Sequence, residues 1–306
     1  MLGLRGFPNV QGGVEAHVAA LSARFATRGW DVEVLGRSPY VPLGTTRIWN
    51  HVTMISLWAP RSMYLEAIVH TMIGVLVAAR RSPDILHIHA IGPGLLTPLA
   101  RLLGLRTVVT HHGFDYERRK WGHIAKAVLR LSERVGMRFA QGRIAVSRSI
   151  AERVRNDCGV PAVYVPNGVE IRTLPLSTEH LEAYGLTSRR YIVSVARIVA
   201  EKAQLDLIRA FAQLADLDVK LALVGGAEYA SDYVREVQKA AAATPGVVMT
   251  GALTDEALAQ VFAHSGVFAL PSMRCEGVRS WPGCCRKWIF ERRPCLARWT
   301  SLVFEQ

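Results

Sequence analysis

The sequence predicts an α/β protein built from two doubly wound parallel sheets. Three observations carry this. Apolar, β-branched runs alternate with helix-patterned segments along the chain, the strand-like runs are almost continuously apolar, and the series restarts after a turn at Pro166, Asn167 and Gly168. Near-continuous apolar strands are those buried on both faces, as when helices cover a parallel sheet on each side.

In the first series, residues 31–35 (DVEVL), 85–89 (ILHIH), 106–110 (RTVVT) and 143–146 (RIAV) read as strands, with helical stretches at 14–28 and 124–138. In the second, strands at 191–196, 219–224, 247–250 and 267–270 alternate with helices that include 202–214 and 232–243. The expected domains are therefore residues 1–168 and 169–277. Residues 278–306 differ in kind: they hold three of the 7 tryptophans, three of the five cysteines and a cluster of arginines, with no strand or helix period. We expect them to be an aberrant tail outside the native fold.

Half of the 306 residues are hydrophobic and a fifth are charged, which excludes a disordered chain and allows a sizeable core. Cys275, Cys284, Cys285 and Cys295 crowd the last stretch and leave only Cys158 in the body. That is no disulfide framework, and it suits a reducing cytoplasm. The opening lacks a charged region followed by an apolar core, so no secretory signal is expected. The most apolar run, residues 67–79, falls short of the roughly 20 residues a bilayer span needs. His70 and Thr71 interrupt it, and it reads as a buried or interfacial helix. The net charge of +12 favours an anionic partner: nucleic acid, an acidic membrane surface or phosphorylated ligands. With no aromatic–basic RNA signature and no recognisable DNA-binding motif, nucleic acid is not expected.

The opening, GLRGFPNVQGGVE, places a glycine-rich turn directly before a helix. Backbone N–H groups and the helix dipole can meet an anion such as a diphosphate there, with Arg5 adding a charge-assisted contact. A plain flexible turn is the alternative. The motif follows almost no strand, so the first strand of this domain is expected to be missing, or the start codon misassigned. His87 and His89, two apart on a strand, face one side and make half of a metal site. Nothing in the pattern completes it, and hydrogen-bonded histidines at a strand end are the favoured reading. His112 stands just past an apolar strand and before Gly113, and ligands of open α/β sheets bind beyond the carboxyl ends of strands.

Arg197 and Glu201-Lys202 follow strand 191–196 at a helix start. Two cations there can clamp the phosphates of a nucleotide and stabilise a departing diphosphate; a solvated helix N-terminus is the alternative. In the polar loop PSMRCEG, Glu276 is placed to accept hydrogen bonds from sugar hydroxyls. Asp216 and Asp218 form an Asp-x-Asp that reads as turn chemistry rather than a metal pair. In helix 124–138, Lys126, Arg130, Arg134 and Arg138 recur every four residues and share a face. That stripe suits an anionic membrane, with Leu129, Leu131 and Val135 turned toward the core; a solvated face is the alternative.

Taken in order, GLRGFPNVQGGVE, ILHIHAIGPG, VVTHHGFDYERRKWG, IAVSRSI, VPNGV, SVARIVAEKAQLDLIRAF, LVGG and ALPSMRCEG resemble the retaining GT-B glycosyltransferases of glycosyltransferase family 4. The likeness runs from Gly3 to about Gly277, and the opening and HHGFDYERRKWG are similar to the subgroup acting in bacterial exopolysaccharide or surface-glycan assembly. The resemblance implies two Rossmann-like domains, the second incomplete. It implies a nucleotide-sugar donor held mainly by the second domain and a glycan or lipid-linked acceptor on the first. It implies that no cofactor and no metal take part, and the expected location is the cytoplasm, with peripheral contact at the inner membrane face.

Family roles then fall on His112, beside the transferred sugar, and on Glu276, the first glutamate of a Glu-x₇-Glu motif. Gly12, Gly13, Arg197 and Lys202 match the donor-binding positions, with Ala203 where a glycine usually follows the lysine. Cys284 stands where the second glutamate belongs, and Val278-Arg279-Ser280 replaces the usual Phe-Gly-Leu. These departures imply a C-terminally truncated or frameshifted chain with impaired transfer, or a non-catalytic remnant of such an enzyme.

Overall fold

The computed structural model describes residues 1–271 apart from residues 9, 11, 63–64, 118–120, 169–176, 215–217, 228–230 and 254. The chain divides into two compact units, Met1–Glu170 and Ile171–Gln306.

The first unit runs α1 (Gly13–Ala26), β1 (Glu33–Arg37), β2 (Thr46–Trp49), β3 (Val52–Leu57), α2 (Glu66–Arg81), β4 (Leu86–His89), α3 (Ile91–Gly94), α4 (Thr97–Leu102), β5 (Thr107–His111), α5 (His123–Phe139), β6 (Gly142–Ala145), α6 (Arg148–Cys158) and β7 (Val163–Tyr164). Strands β4-β5-β6-β7 form a parallel sheet in chain order, and β1-β3-β2 form a smaller one. The opening residues join the two. The Leu35 and Arg37 amides donate to the carbonyls of Met1 and Arg5, while Leu2 exchanges hydrogen bonds with His87 and His89. The glycine-rich opening is thus seated between β1 and β4 through a single bridge, Leu2 to Ile88, and the first described element is α1. Leu2 is fully buried in the cluster that also holds Val75, Ile88, Val109 and Met137.

The hairpin β2–β3 escaped the sequence pattern. Its turn residues, Asn50 and His51, have φ of 47° and 63°. Positive φ at both positions is what a two-residue hairpin needs, but Asn-His lacks the glycine that usually announces it. Most other strands begin or end one or two residues from the expected bounds, as hydrogen-bonded ends do.

Helix α2 contains the apolar run 67–79. It buries His70, Thr71, Gly74, Val75 and Ala78 and exposes Met72 and Leu76. Among the described residues no helix is long and apolar enough to cross a membrane. His70 Nε2 donates to the Gly36 carbonyl at 3.1 Å, and its buried Nδ1 has no hydrogen-bond partner. Burial, helped by the nearby Arg37 charge, pulls its pKa down to about 4. The unfolded chain binds this proton below about pH 6.5, whereas the folded chain refuses it down to about pH 4, so stability falls as pH drops through that window. At pH 5 the cost from this residue is about 2 kcal/mol. Urea unfolding at pH 7 and pH 5 checks it: His70→Gln should shrink the difference between the two by about that amount.

Helices α3 and α5 cross with glycine against glycine. A Cβ on Gly136 would lie 3.0 Å from the Gly94 Cα and 3.1 Å from its carbonyl oxygen, so a side chain at position 136 would push the helices apart. On α5 the buried face is Ser132, Glu133, Gly136 and Met137, with Leu129 and Val135 half-buried. Leu131 is 53% exposed rather than turned inward, and it lies with exposed Ile124 and Val128 at helical spacing. The apolar side of this helix therefore extends past the core edge into solvent.

The second unit runs α7 (Glu179–Glu182), β8 (Tyr191–Val195), α8 (Gln204–Phe211), β9 (Lys220–Val224), α9 (Asp232–Ala243), β10 (Val247–Gly251), α10 (Asp255–Ala263) and β11 (Val267–Phe268). Its sheet, β10-β9-β8-β11, is wholly parallel. Successive residues point to opposite faces. Ile192, Leu221 and Leu223 pack with Leu207, Ile208, Val234 and Val237 of α8 and α9. Tyr191, Val193, Ala222 and Val224 pack on the other side with Leu181 and Val261 of α7 and α10. Helices on both faces make the sheet doubly wound.

The expected helix 202–214 is broken. A 3-10 turn at Ala200–Lys202 gives way to α8 through Ala203, whose φ of 51° is left-handed, and another 3-10 turn spans Ala212–Leu214. A left-handed residue with a Cβ costs roughly 1–2 kcal/mol. That is the physical sense of a glycine at the position Ala203 fills.

Candidate active site

In the first unit the chemistry gathers at the carboxyl ends of β4 and β5 and along α1. Gly12 caps α1, and a Cβ there would fall 1.9 Å from Glu15 Oε2 and 2.6 Å from Arg5 Nη2. A side chain there would have to displace the tips of that ion pair. Glu15 Oε1 accepts from both the backbone N (3.2 Å) and Nε (3.0 Å) of Arg5, whose guanidinium also lies over the Tyr40 ring. Arg5 is therefore held by a buried carboxylate of its own motif. Gly13 has open space where a Cβ would be.

One turn along α1 from Gly13 stands His17, a residue the sequence reading passed over. Its ring lies 5.2 Å from that of His112 and 6.1 Å from that of His89, centroid to centroid. His89 Nδ1 is 3.0 Å from His112 Nε2. One nitrogen of each of the three comes within 4.8 Å of the other two. His87 and His89 face one side, with ring centroids 4.1 Å apart, and His87 Nε2 makes the kind of hydrogen bond favoured from sequence, to Thr110 Oγ1 at 2.7 Å. The other neighbours of the His89 ring come from α1 and from the loop after β5. No local pattern announces them, because the three histidines are brought together only by the fold. Burial lowers the pKa of all of them, that of His112 to about 3 and that of His17 less, so the cluster is uncharged at neutral pH.

Behind His112 lies a second, fully buried network. His111, the last residue of β5, meets Glu133 of α5 at 2.8 Å through Nε2, and its Nδ1 accepts from the Gly113 amide at 3.2 Å. An Nδ1 that accepts leaves the proton on Nε2, so Glu133 sets the tautomer and His111 in turn holds the backbone on the far side of His112. Glu133 also accepts from the Tyr116 hydroxyl, and burial with this carboxylate beside it raises the Tyr116 pKa.

In the second unit Arg197 and Lys202 lie in the connection between β8 and α8, Arg197 exposed and Lys202 half-buried. The backbone around Arg197 is well tied. The Ala196 and Ile198 amides donate to Val224 and Gly226, and Gln204 Nε2 donates to the Arg197 carbonyl at 2.8 Å. Tyr233 of α9 donates to Gln204 Oε1, adding a third element to the support. Gln204 and Tyr233 were not legible as site residues, since their role is to hold a loop rather than to face a ligand. Asp218 is exposed and pairs with Arg190 at 3.4 Å. Glu276, Cys284, Asp216 and the tail 278–306 lie outside the described residues.

Comparison with known proteins gives these sites a context. A GDP-mannose-dependent alpha-(1-6)-phosphatidylinositol monomannoside mannosyltransferase of Mycolicibacterium smegmatis is 34% identical over 188 residues, covering 58% of this chain and 47% of the relative. The chain thus spans about half the length of that relative. The structure matches sucrose-phosphate synthase from Thermosynechococcus elongatus with a TM-score of 0.71 at 19% identity, over 85% of this chain and 70% of that one. It matches Anabaena HepE in complex with UDP and glucose with a TM-score of 0.66 at 17% identity, over 88% and 73%. These likenesses show the fold, that of the GT-B glycosyltransferases. Residues 189–282 match the family model "Glycosyl transferases group 1". Residues 11–173, more than half of the chain and including Gly12, His17, His89 and His112, match the model of Glycosyltransferase Family 4, and the chain belongs to that family.

Proposed function

We propose that this protein transfers a sugar from a nucleoside-diphosphate sugar to a glycan or lipid-linked acceptor with retention of configuration. The observation that carries it is the connection after β8, which holds Arg197 and Lys202 on a backbone braced by Gln204, Tyr233 and Gly226. In this reading both cations neutralise the diphosphate as it departs, where a preorganised charge acts without reorganising. Gly12 and Gly13 let backbone approach the donor diphosphate, His112 sits beside the transferred sugar, and Glu276 takes its hydroxyls. The acceptor lies on residues 1–168, and the donor is held mainly by residues 169–277. With Cys284 at the second glutamate position, transfer is impaired.

Support for a nucleotide-sugar donor comes from the names of the relatives: one is GDP-mannose-dependent and another was seen with UDP and glucose. The phosphatidylinositol monomannoside in the first name supports a lipid-linked acceptor, within surface-glycan or exopolysaccharide assembly at the inner membrane face. Release of nucleoside diphosphate from GDP-mannose and UDP-glucose tests the reading. Slow release, lost in Lys202→Ala, is expected. Turnover in the ordinary enzyme range of about 1–10³ s⁻¹ removes the impairment, and release indifferent to both Arg197→Ala and Lys202→Ala removes the site.

A lipid acceptor requires the protein to visit a membrane, and α5 fits that task. Ile124, Val128 and Leu131 expose 84%, 38% and 53% of their surface beside a row of Lys126, Arg130, Arg134 and Arg138. An amphipathic helix with cations flanking an exposed apolar strip lies in the headgroup plane. Each cation near an anionic surface adds about 1 kcal/mol, although Arg130 is partly occupied over the Tyr116 ring at 5.2 Å. Glutamine at all four positions should abolish co-sedimentation with anionic vesicles. Binding that persists, or that ignores salt, contradicts the membrane role.

A further inference from the structure

We propose that His17, His89 and His112 form a binding site for one divalent transition-metal ion of the zinc class. The transfer chemistry above calls for no such ion, and the three side chains come from three separate elements: α1, the end of β4 and the loop after β5. One nitrogen of each lies within 4.8 Å of the other two. His89 Nδ1 and His112 Nε2 stand 3.0 Å apart, near the roughly 3.3 Å expected between neighbouring ligand nitrogens around a tetrahedral ion at about 2.0–2.1 Å. Without an ion these two nitrogens share a hydrogen bond; with one, both lone pairs turn to it.

The donor set decides the class of ion. Three imidazoles with no carboxylate suit zinc, copper or nickel, whereas magnesium, calcium and manganese take oxygen ligands. The site therefore differs in kind from a diphosphate-bound magnesium. His89 is fully buried and the other two are half-buried, so the cluster has a closed back and an open front. Three protein ligands leave a fourth position for water or an incoming oxygen. The same arrangement has a consequence that rests on the proposed function: an ion held by His112 Nε2 withholds that nitrogen from the sugar, so zinc competes with transfer.

Calorimetric titration of the untagged, chelator-treated 306-residue chain with zinc chloride tests the site, with no nucleotide or sugar present. Alkylation of the cysteines beforehand removes the thiols of the last stretch as competing ligands. One equivalent of zinc should bind, at least about tenfold more weakly in His17→Gln and in His112→Ala, and magnesium should give no saturable heat. His17 is half-buried and His112 lies in a loop, so both variants should keep the circular dichroism of the parent. Absence of saturable zinc uptake overturns the proposal, as does zinc binding of unchanged affinity in both variants. Because the titration contains no donor, its failure leaves the transferase reading standing, and failure of transfer leaves the metal site standing.

Discussion

Glu133→Ala should destabilise the first unit by about 3–5 kcal/mol. The carboxylate is 3% exposed and accepts from His111 Nε2 and from the Tyr116 hydroxyl, both of them buried. Alanine leaves these two donors without an acceptor, and each orphaned buried group costs about 1–3 kcal/mol. The lost side chain also opens space beneath β5. Glu133→Gln keeps one acceptor oxygen and should recover part of the loss. Urea unfolding of the three chains gives the comparison. A change below about 1 kcal/mol for alanine means that water reaches the pair and that the network does not brace the His112 loop.

Gly225→Ala should cost the second unit at least about 3 kcal/mol and weaken nucleotide binding more than tenfold. Gly225 has a φ of +150°, and a Cβ there would stand 1.9 Å from the Ala196 carbonyl oxygen. Both partners are backbone, so relief requires the connection after β9 to part from the connection after β8. That parting strains the Ala196–Val224 and Ile198–Gly226 hydrogen bonds on either side of Arg197. Thermal unfolding and calorimetry with a nucleoside diphosphate read the two effects. A stable variant that binds normally shows that the loops are not coupled.

The layer structure was legible because buried parallel strands write themselves as continuous apolar runs. Helix α9 spans residues 232–243 as expected, since Ser231 caps it by accepting from the Val234 amide. Where the pattern misled, a local conformation overrode propensity. Left-handed Ala203 split one expected helix, and the Asn50-His51 turn hid a hairpin. For the site, motifs pointed to the residues at strand ends and loop starts but were silent on what surrounds them. Arg5 is held by Glu15, only ten residues away in its own motif, a pairing that the spacing alone does not reveal. His17 sits at an ordinary helical position, and Glu133 reads as one more polar residue on a charged helix. Long-range contacts such as these leave no periodic trace.

The most direct test of the account is calorimetric titration of the chain with GDP and with UDP, alongside Arg197→Ala and Lys202→Ala. A charge-assisted hydrogen bond contributes about 1.5–3 kcal/mol net, so each variant should bind its nucleotide tenfold or more weakly than the parent. Saturable binding of at least one nucleotide, weakened in both variants, is the predicted result. No binding of either nucleotide, or equal affinity in parent and variants, contradicts the assignment of the connection after β8 as the diphosphate site.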